Sequence, residues 1–159
     1  MEGSAFDEDA FFRALAASGA RVLLIGRRAL IALGAPVLTA DYDLWVHPDD
    51  VPLLNAALEP LDLAPSHTTD EARRRGRYVL ENDEHVAVLV ARSQTTKDGA
   101  PVRFDDVWSR RRLERYDEAT AIAVPCIDDL ILTKRWSLRQ KDVIDIQILE
   151  ALRDRGVDR

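Results

Sequence analysis

Two carboxylates one residue apart, Asp41 and Asp43, are the side chains of this 159-residue chain best spaced for chemistry. They stand in the strand-like run Asp41-Tyr42-Asp43-Leu44-Trp45-Val46. A strand turns alternate side chains to opposite faces, so the two aspartates share one face and Tyr42 and Leu44 take the other. Carboxylates about 7 Å apart on one face can share divalent metal ions. About fifteen residues upstream, Gly26 stands at the mouth of a short helix, where free backbone N–H groups can meet a phosphate. A phosphate seat and a metal seat so near in sequence point to nucleotide chemistry.

The elements that must hold these residues follow from apolar spacing. A buried strand is expected over Val22-Leu23-Leu24-Ile25, then a helix from Arg27 to about Leu33, closed by Gly34 and Pro36. Phe6 to Ser18 reads as a first helix with Phe11, Phe12, Leu15 and Ala16 as its stripe. His47-Pro48-Asp49-Asp50 is a turn with acidic caps, ahead of a helix over Val51 to Leu61. Asp62 to Thr69 reads as irregular with a short strand. A hairpin follows from Tyr78–Leu80 and His85–Ala91, bent at Asn82-Asp83. Lys97-Asp98-Gly99 is a turn, Phe104 to Leu113 a short helix and Thr120 to Val124 a strand. Two helices close the chain, about Asp128–Trp136 and Leu138–Asp154. The second has Val143, Ile144, Ile146, Ile148, Leu149 and Leu152 as a broad apolar face. The pattern predicts a single α+β domain over residues 1–159.

Composition removes several classes. The chain is 47% hydrophobic and 31% charged, which suits one soluble globular domain with a core of its own. No run approaches the roughly 18 apolar residues needed to span a bilayer, so no membrane partner is expected. The stretch Met1 to Asp9 is acidic and does not read as a secretion leader. A lone cysteine, Cys126, excludes an internal disulfide and fits a reducing cytoplasm. The three histidines, His47, His67 and His85, have no zinc-ligand spacing, and no Gly-x-Ser-x-Gly elbow supports a hydrolase. Net charge is −6, so nucleic-acid contact would fall to local basic runs, Arg73-Arg74-Arg75-Gly76-Arg77 and Arg110-Arg111-Arg112.

Two segments carry a resemblance. Leu24-Ile25-Gly26-Arg27 followed by Thr39-Ala40-Asp41-Tyr42-Asp43 resembles the glycine turn and Asp-x-Asp strand of the polymerase-beta-like nucleotidyltransferases. Leu130-Ile131-Leu132-Thr133-Lys134 with Arg139-Gln140-Lys141-Asp142-Val143-Ile144-Asp145-Ile146 resembles the C-terminal pattern of their small bacterial antitoxin and toxin-system members. The resemblance covers about residues 20 to 152. It implies a twisted mixed β-sheet with helices on one side, helical in its C-terminal part. It also implies Mg²⁺ or Mn²⁺ on Asp41 and Asp43, and an NTP such as ATP cradled by Gly26 and Arg27 and contacted by Lys134. The implied reaction is attack of a hydroxyl, on RNA or a partner protein, at the α-phosphorus with release of pyrophosphate. An antitoxin-type member implies a toxin partner.

The chain departs from that pattern twice. Arg27 stands where the family has Ser or Gly, and its guanidinium either forks onto a phosphate or crowds the seat. Ala87 stands where a third carboxylate is expected, with Glu84, Asp105 and Asp106 as substitutes. The alternative reading is therefore a degenerate fold kept as an antitoxin-like or regulatory binding module. Trp45, on the Asp43 face of its strand, is the tryptophan expected to line a nucleotide pocket. Asp142 and Asp145 are expected to pair on the helix surface with Arg139 and Lys141.

Overall fold

The computed structural model describes residues 6–156; residues 1–5 of the acidic N-terminal stretch lie outside that range. The elements run α1 (Glu8–Ala17), β1 (Val22–Ile25), α2 (Gly26–Ala32), β2 (Tyr42–Val46), α3 (Val51–Leu58), β3 (Ala64–Pro65), α4 (Thr69–Arg75), β4 (Arg77–Glu81) and β5 (His85–Val90). They continue with β6 (Ser93–Thr95), β7 (Pro101–Arg103), α5 (Phe104–Ser109), β8 (Arg112–Arg115), β9 (Ala121–Val124), α6 (Ile127–Lys134) and α7 (Gln140–Asp154). No helix among the described residues is long and apolar enough to cross a membrane.

A five-stranded sheet in the order β1-β2-β5-β4-β3 carries the molecule. The β2–β5 pair is parallel and the other pairs are antiparallel, so the sheet is mixed. Strand parity divides its two faces. Val22, Leu24, Tyr42, Leu44, Val46, Val86, Val88 and Tyr78 enter a large core with Phe11 and Phe12 of α1, Leu54 and Leu58 of α3, and Leu130, Ile146 and Leu149 of α6 and α7. On the other face, Leu23, Ile25 and Trp45 pack under Val102, Phe104 and Val107. All four residues of β1 are buried because both of its faces are covered. Helices mostly share one side, as the resemblance implies, but α5 packs onto the other.

Four stretches differ from expectation. Helix α4 was legible in principle: Thr68 accepts from the Glu71 N–H while Glu71 accepts from the Thr68 N–H. The Lys97-Asp98-Gly99 turn joins β6 to β7, two three-residue strands too short and polar to show periodicity. The expected helix to Leu113 stops at Ser109, and Arg112–Arg115 pairs as β8 with β9. Finally, His47 rather than an aspartate caps its turn, accepting from the Asp49 N–H, while Asp50 accepts from the backbone and guanidinium of Arg21.

Candidate active site

Antiparallel pairing sets Ile25 opposite Asp43, and the residue after Ile25 lies against the Asp43 side chain. That residue is Gly26, with φ +70°, a conformation L side chains rarely adopt. A Cβ built on it would stand 2.5 Å from Asp43 Oδ2. Glycine is thus required twice, for backbone and for space. Gly26→Ala is expected to destabilise the fold by about 1–3 kcal/mol and displace the Asp43 carboxylate, read by urea unfolding.

Asp41 lies one residue ahead of β2 and is exposed, while Asp43 is half-buried. Both line a cavity of about 190 Å³ together with Gly26, Arg27 and Lys134. Three separate stretches of chain therefore bring all five expected site residues to one place. Arg28, which the sequence reading passed over, holds the approach to β2. Its Nη2 donates to the Thr39 carbonyl at 3.1 Å and its Nε to the Asp41 carbonyl at 3.3 Å. Its guanidinium also lies over the Tyr42 ring, 4.1 Å from the centroid. Thr39 Oγ1 accepts from the Asp41 N–H.

Behind the cavity sits Asp145, fully buried. One of its oxygens meets Lys134 Nζ at 2.9 Å and the other meets Arg27 Nε at 3.1 Å. The expected surface pairing of Asp145 is therefore wrong. Helix α7 turns Asp142, Asp145, Ile146, Leu149 and Leu152 inward, and leaves Val143 and Ile144 each 45% exposed. Asp142 does pair with Arg139, as expected, but as a buried cap. It accepts from the Arg139 N–H and from Ser137 Oγ ahead of α7. Arg27 does not lie free at the turn: its Nε is tied back to Asp145 while the side chain still lines the cavity.

Burial first, and then the nearby Asp41 charge, push the Asp43 carboxyl above the ordinary carboxylate range; Lys134, Lys141 and Arg139 pull the other way. Paired carboxylates that repel in this manner are the kind of donor set a divalent cation relieves. Among the described residues, no group of three or more His, Cys, Asp or Glu is placed to hold a metal. Two carboxylates still fit Mg²⁺, which commonly takes one or two from protein and the rest from phosphates and water.

The third-carboxylate position is settled by register. Ala87 of β5 is the parallel partner of Asp43, and Val79 of β4 is the next across. None of the three substitutes, Glu84, Asp105 or Asp106, lines the cavity. Trp45 does not line it either. Its ring is fully buried against Phe104 and Trp136, and Nε1 donates to the Ala91 carbonyl. The parity was right, but α5 and β7 cover that end of the face. Trp136 lines the cavity in its place.

No protein-family model and no curated protein matches this sequence. Solved structures match its fold. A provisionally assigned nucleotidyltransferase from Thermotoga maritima aligns over 95% of this chain and 91% of its own, with TM-score 0.54 at 15% identity. The solution structure of the antibiotic-resistance factor ANT(2″)-Ia aligns over 93% and 88%, with TM-score 0.60 at 14% identity. Its crystal structure with adenylyl-2″-tobramycin aligns over 94% and 89%, with TM-score 0.62 at 14% identity. The chain carries the nucleotidyltransferase fold.

Proposed function

We propose that the chain binds a nucleoside triphosphate with Mg²⁺ or Mn²⁺ in the Gly26–Asp43 cavity and transfers its nucleotidyl group to a hydroxyl on RNA or a partner protein. The observation that carries this reading is the convergence of Gly26, Arg27, Asp41, Asp43 and Lys134 on one cavity in a nucleotidyltransferase fold. In it, Asp41 and Asp43 hold the cation, and Gly26, Arg27 and Lys134 face the triphosphate. A bound divalent ion supplies charge neutralisation for the leaving pyrophosphate and polarises the α-phosphoryl group. Attack by the hydroxyl oxygen forms the new O–P bond as the α–β bridge breaks; the hydroxyl proton passes to water, and pyrophosphate departs with the bonding pair. Asp145 acts as a positioning residue, fixing the two cations from behind.

Ala87 beside Asp43 favours a second reading, a fold that binds nucleotide but has lost turnover and serves as an antitoxin-like or regulatory module with a toxin partner. Incubation with the four α-labelled NTPs, Mn²⁺ or Mg²⁺, and total RNA or lysate protein separates the two. Label transferred to an acceptor, and lost in Asp41→Asn plus Asp43→Asn, supports the enzyme. Tight metal-dependent NTP binding with no transfer supports the module. In both readings Arg28→Met is expected to weaken Mg²⁺–NTP binding by about 10–100-fold, because it releases the segment that places Asp41. Calorimetry measures that change.

A further inference from the structure

The two basic runs have different fates. Arg110 is spent on Asp129, bonded through both Nε and Nη2, Arg112 on Glu114, and Arg111 on the Trp108 ring and carbonyl. In the other run, the side chains of Arg75 and Arg77 make no hydrogen bond or ion pair among the described residues, and both residues are exposed. They straddle Gly76, whose φ of +78° ends α4 and turns the chain directly into β4. Both line a groove of about 540 Å³ on the sheet face that bears Asp43, with His67 and Arg139 beside them. This groove and the nucleotide cavity share a wall of Ile25, Asp43, Trp136 and Arg139. Its floor is the row Asp43–Ala87–Val79, three neighbouring strands with no helix over Ala87, which is exposed.

We propose that this groove seats the acceptor, and that the acceptor is an anion held through a phosphate group by Arg75 and Arg77. The proposal rests on the nucleotidyl-transfer reading for its chemistry. A hydroxyl anchored there reaches the shared Asp43 wall, beside the cavity assigned to the triphosphate. Arginine forks match phosphate oxygens, and unpaired ones give up no protein partner on binding. Ala87 then has a consequence beyond a missing ligand: the position next to Asp43 carries no second negative charge to repel an anion. Two unpaired arginines against one carboxylate disfavour a polyamine of the tobramycin kind. Phosphate on a single-stranded RNA and phosphate on a small sugar share this chemistry, and the test separates them.

The probes are a fluorescein-labelled single-stranded RNA hexamer, followed by anisotropy, and ribose 5-phosphate, followed by calorimetry. The full chain is used, saturated with a non-hydrolysable NTP and Mg²⁺. At least one probe is expected to bind, at least tenfold more weakly in Arg75→Gln plus Arg77→Gln, with NTP affinity within twofold of wild type. RNA binding should also fall with salt, with a shallower slope in that variant. Arg75→Lys plus Arg77→Lys, which keeps the charge but not the fork, should bind between wild type and the glutamine pair and controls for folding. RNA alone binding identifies the acceptor as nucleic acid, and ribose 5-phosphate alone identifies a small phosphate ester; both support the groove. Neither probe binding, binding untouched by the glutamine pair, tighter binding of tobramycin, or displacement of the probe by NTP would each overturn the proposal. Loss of NTP binding in wild type would instead overturn the nucleotide reading and leave the groove result standing.

Discussion

Replacing Asp145 with asparagine is expected to lower the unfolding free energy by about 3–5 kcal/mol, a large share of a domain's usual 5–15 kcal/mol. The carboxylate is fully buried and bonds both Lys134 and Arg27. Lys134 is the decisive partner, because its side chain is only 8% exposed and its ammonium is left without a counter-charge in the variant. Arg27 is 31% exposed and can turn to water, so it adds less. Urea unfolding measures the loss. Adding Lys134→Met to Asp145→Asn should recover much of it, since an apolar chain of similar length removes the stranded charge. A loss below about 1 kcal/mol would mean that Lys134 finds water readily and that Asp145 does not hold it.

The second large effect is a trade between activity and stability at Asp43. Asp41→Asn plus Asp43→Asn is expected to reduce Mg²⁺-dependent NTP binding below detection, and with it any nucleotidyl transfer. Asp43→Asn alone should nevertheless raise stability at pH 7, by about 1 kcal/mol, the usual size of such gains. The sign follows from the direction of the shift. Burial and Asp41 raise the Asp43 pKa above 3.8, its ordinary value, so its ionised form is disfavoured in the fold. The wild type therefore loses stability as pH rises from the ordinary range through the raised value, and the loss is complete above it. Asparagine carries no charge, so the gain should vanish when pH falls below the ordinary range. Thermal unfolding of both proteins across that window checks the crossing.

Much of this site could be read from the chain because its parts are local. Val22–Ile25, Gly26 and the Asp-x-Asp run announce themselves by an apolar tetrad, a helix-opening glycine and a two-residue period. Register then did what local spacing implied, placing Ile25 opposite Asp43 and Ala87 beside it. The burial of Asp145 was not legible because its i,i+4 spacing to Lys141 describes a helix without its neighbours. The better signal was that Asp142 and Asp145 continue the line of Ile146, Leu149 and Leu152, the face turned to the core. Trp45 shows the complementary limit: parity fixes the face of a side chain, but only the distant α5 and β7 decide whether that face is open. Arg28 escaped because the contacts by which it holds the approach to β2 are to main-chain carbonyls, which no residue-type pattern displays.

The most direct test of the proposed nucleotide site is a Mn²⁺ titration followed by electron paramagnetic resonance, with and without a non-hydrolysable NTP. Two carboxylates with no third predict weak Mn²⁺ binding alone, and binding at least tenfold tighter once phosphates complete the shell. Both should disappear in Asp41→Asn plus Asp43→Asn. An NTP that binds equally well in EDTA, or a double variant that holds Mn²⁺–NTP as tightly as wild type, would contradict the assignment.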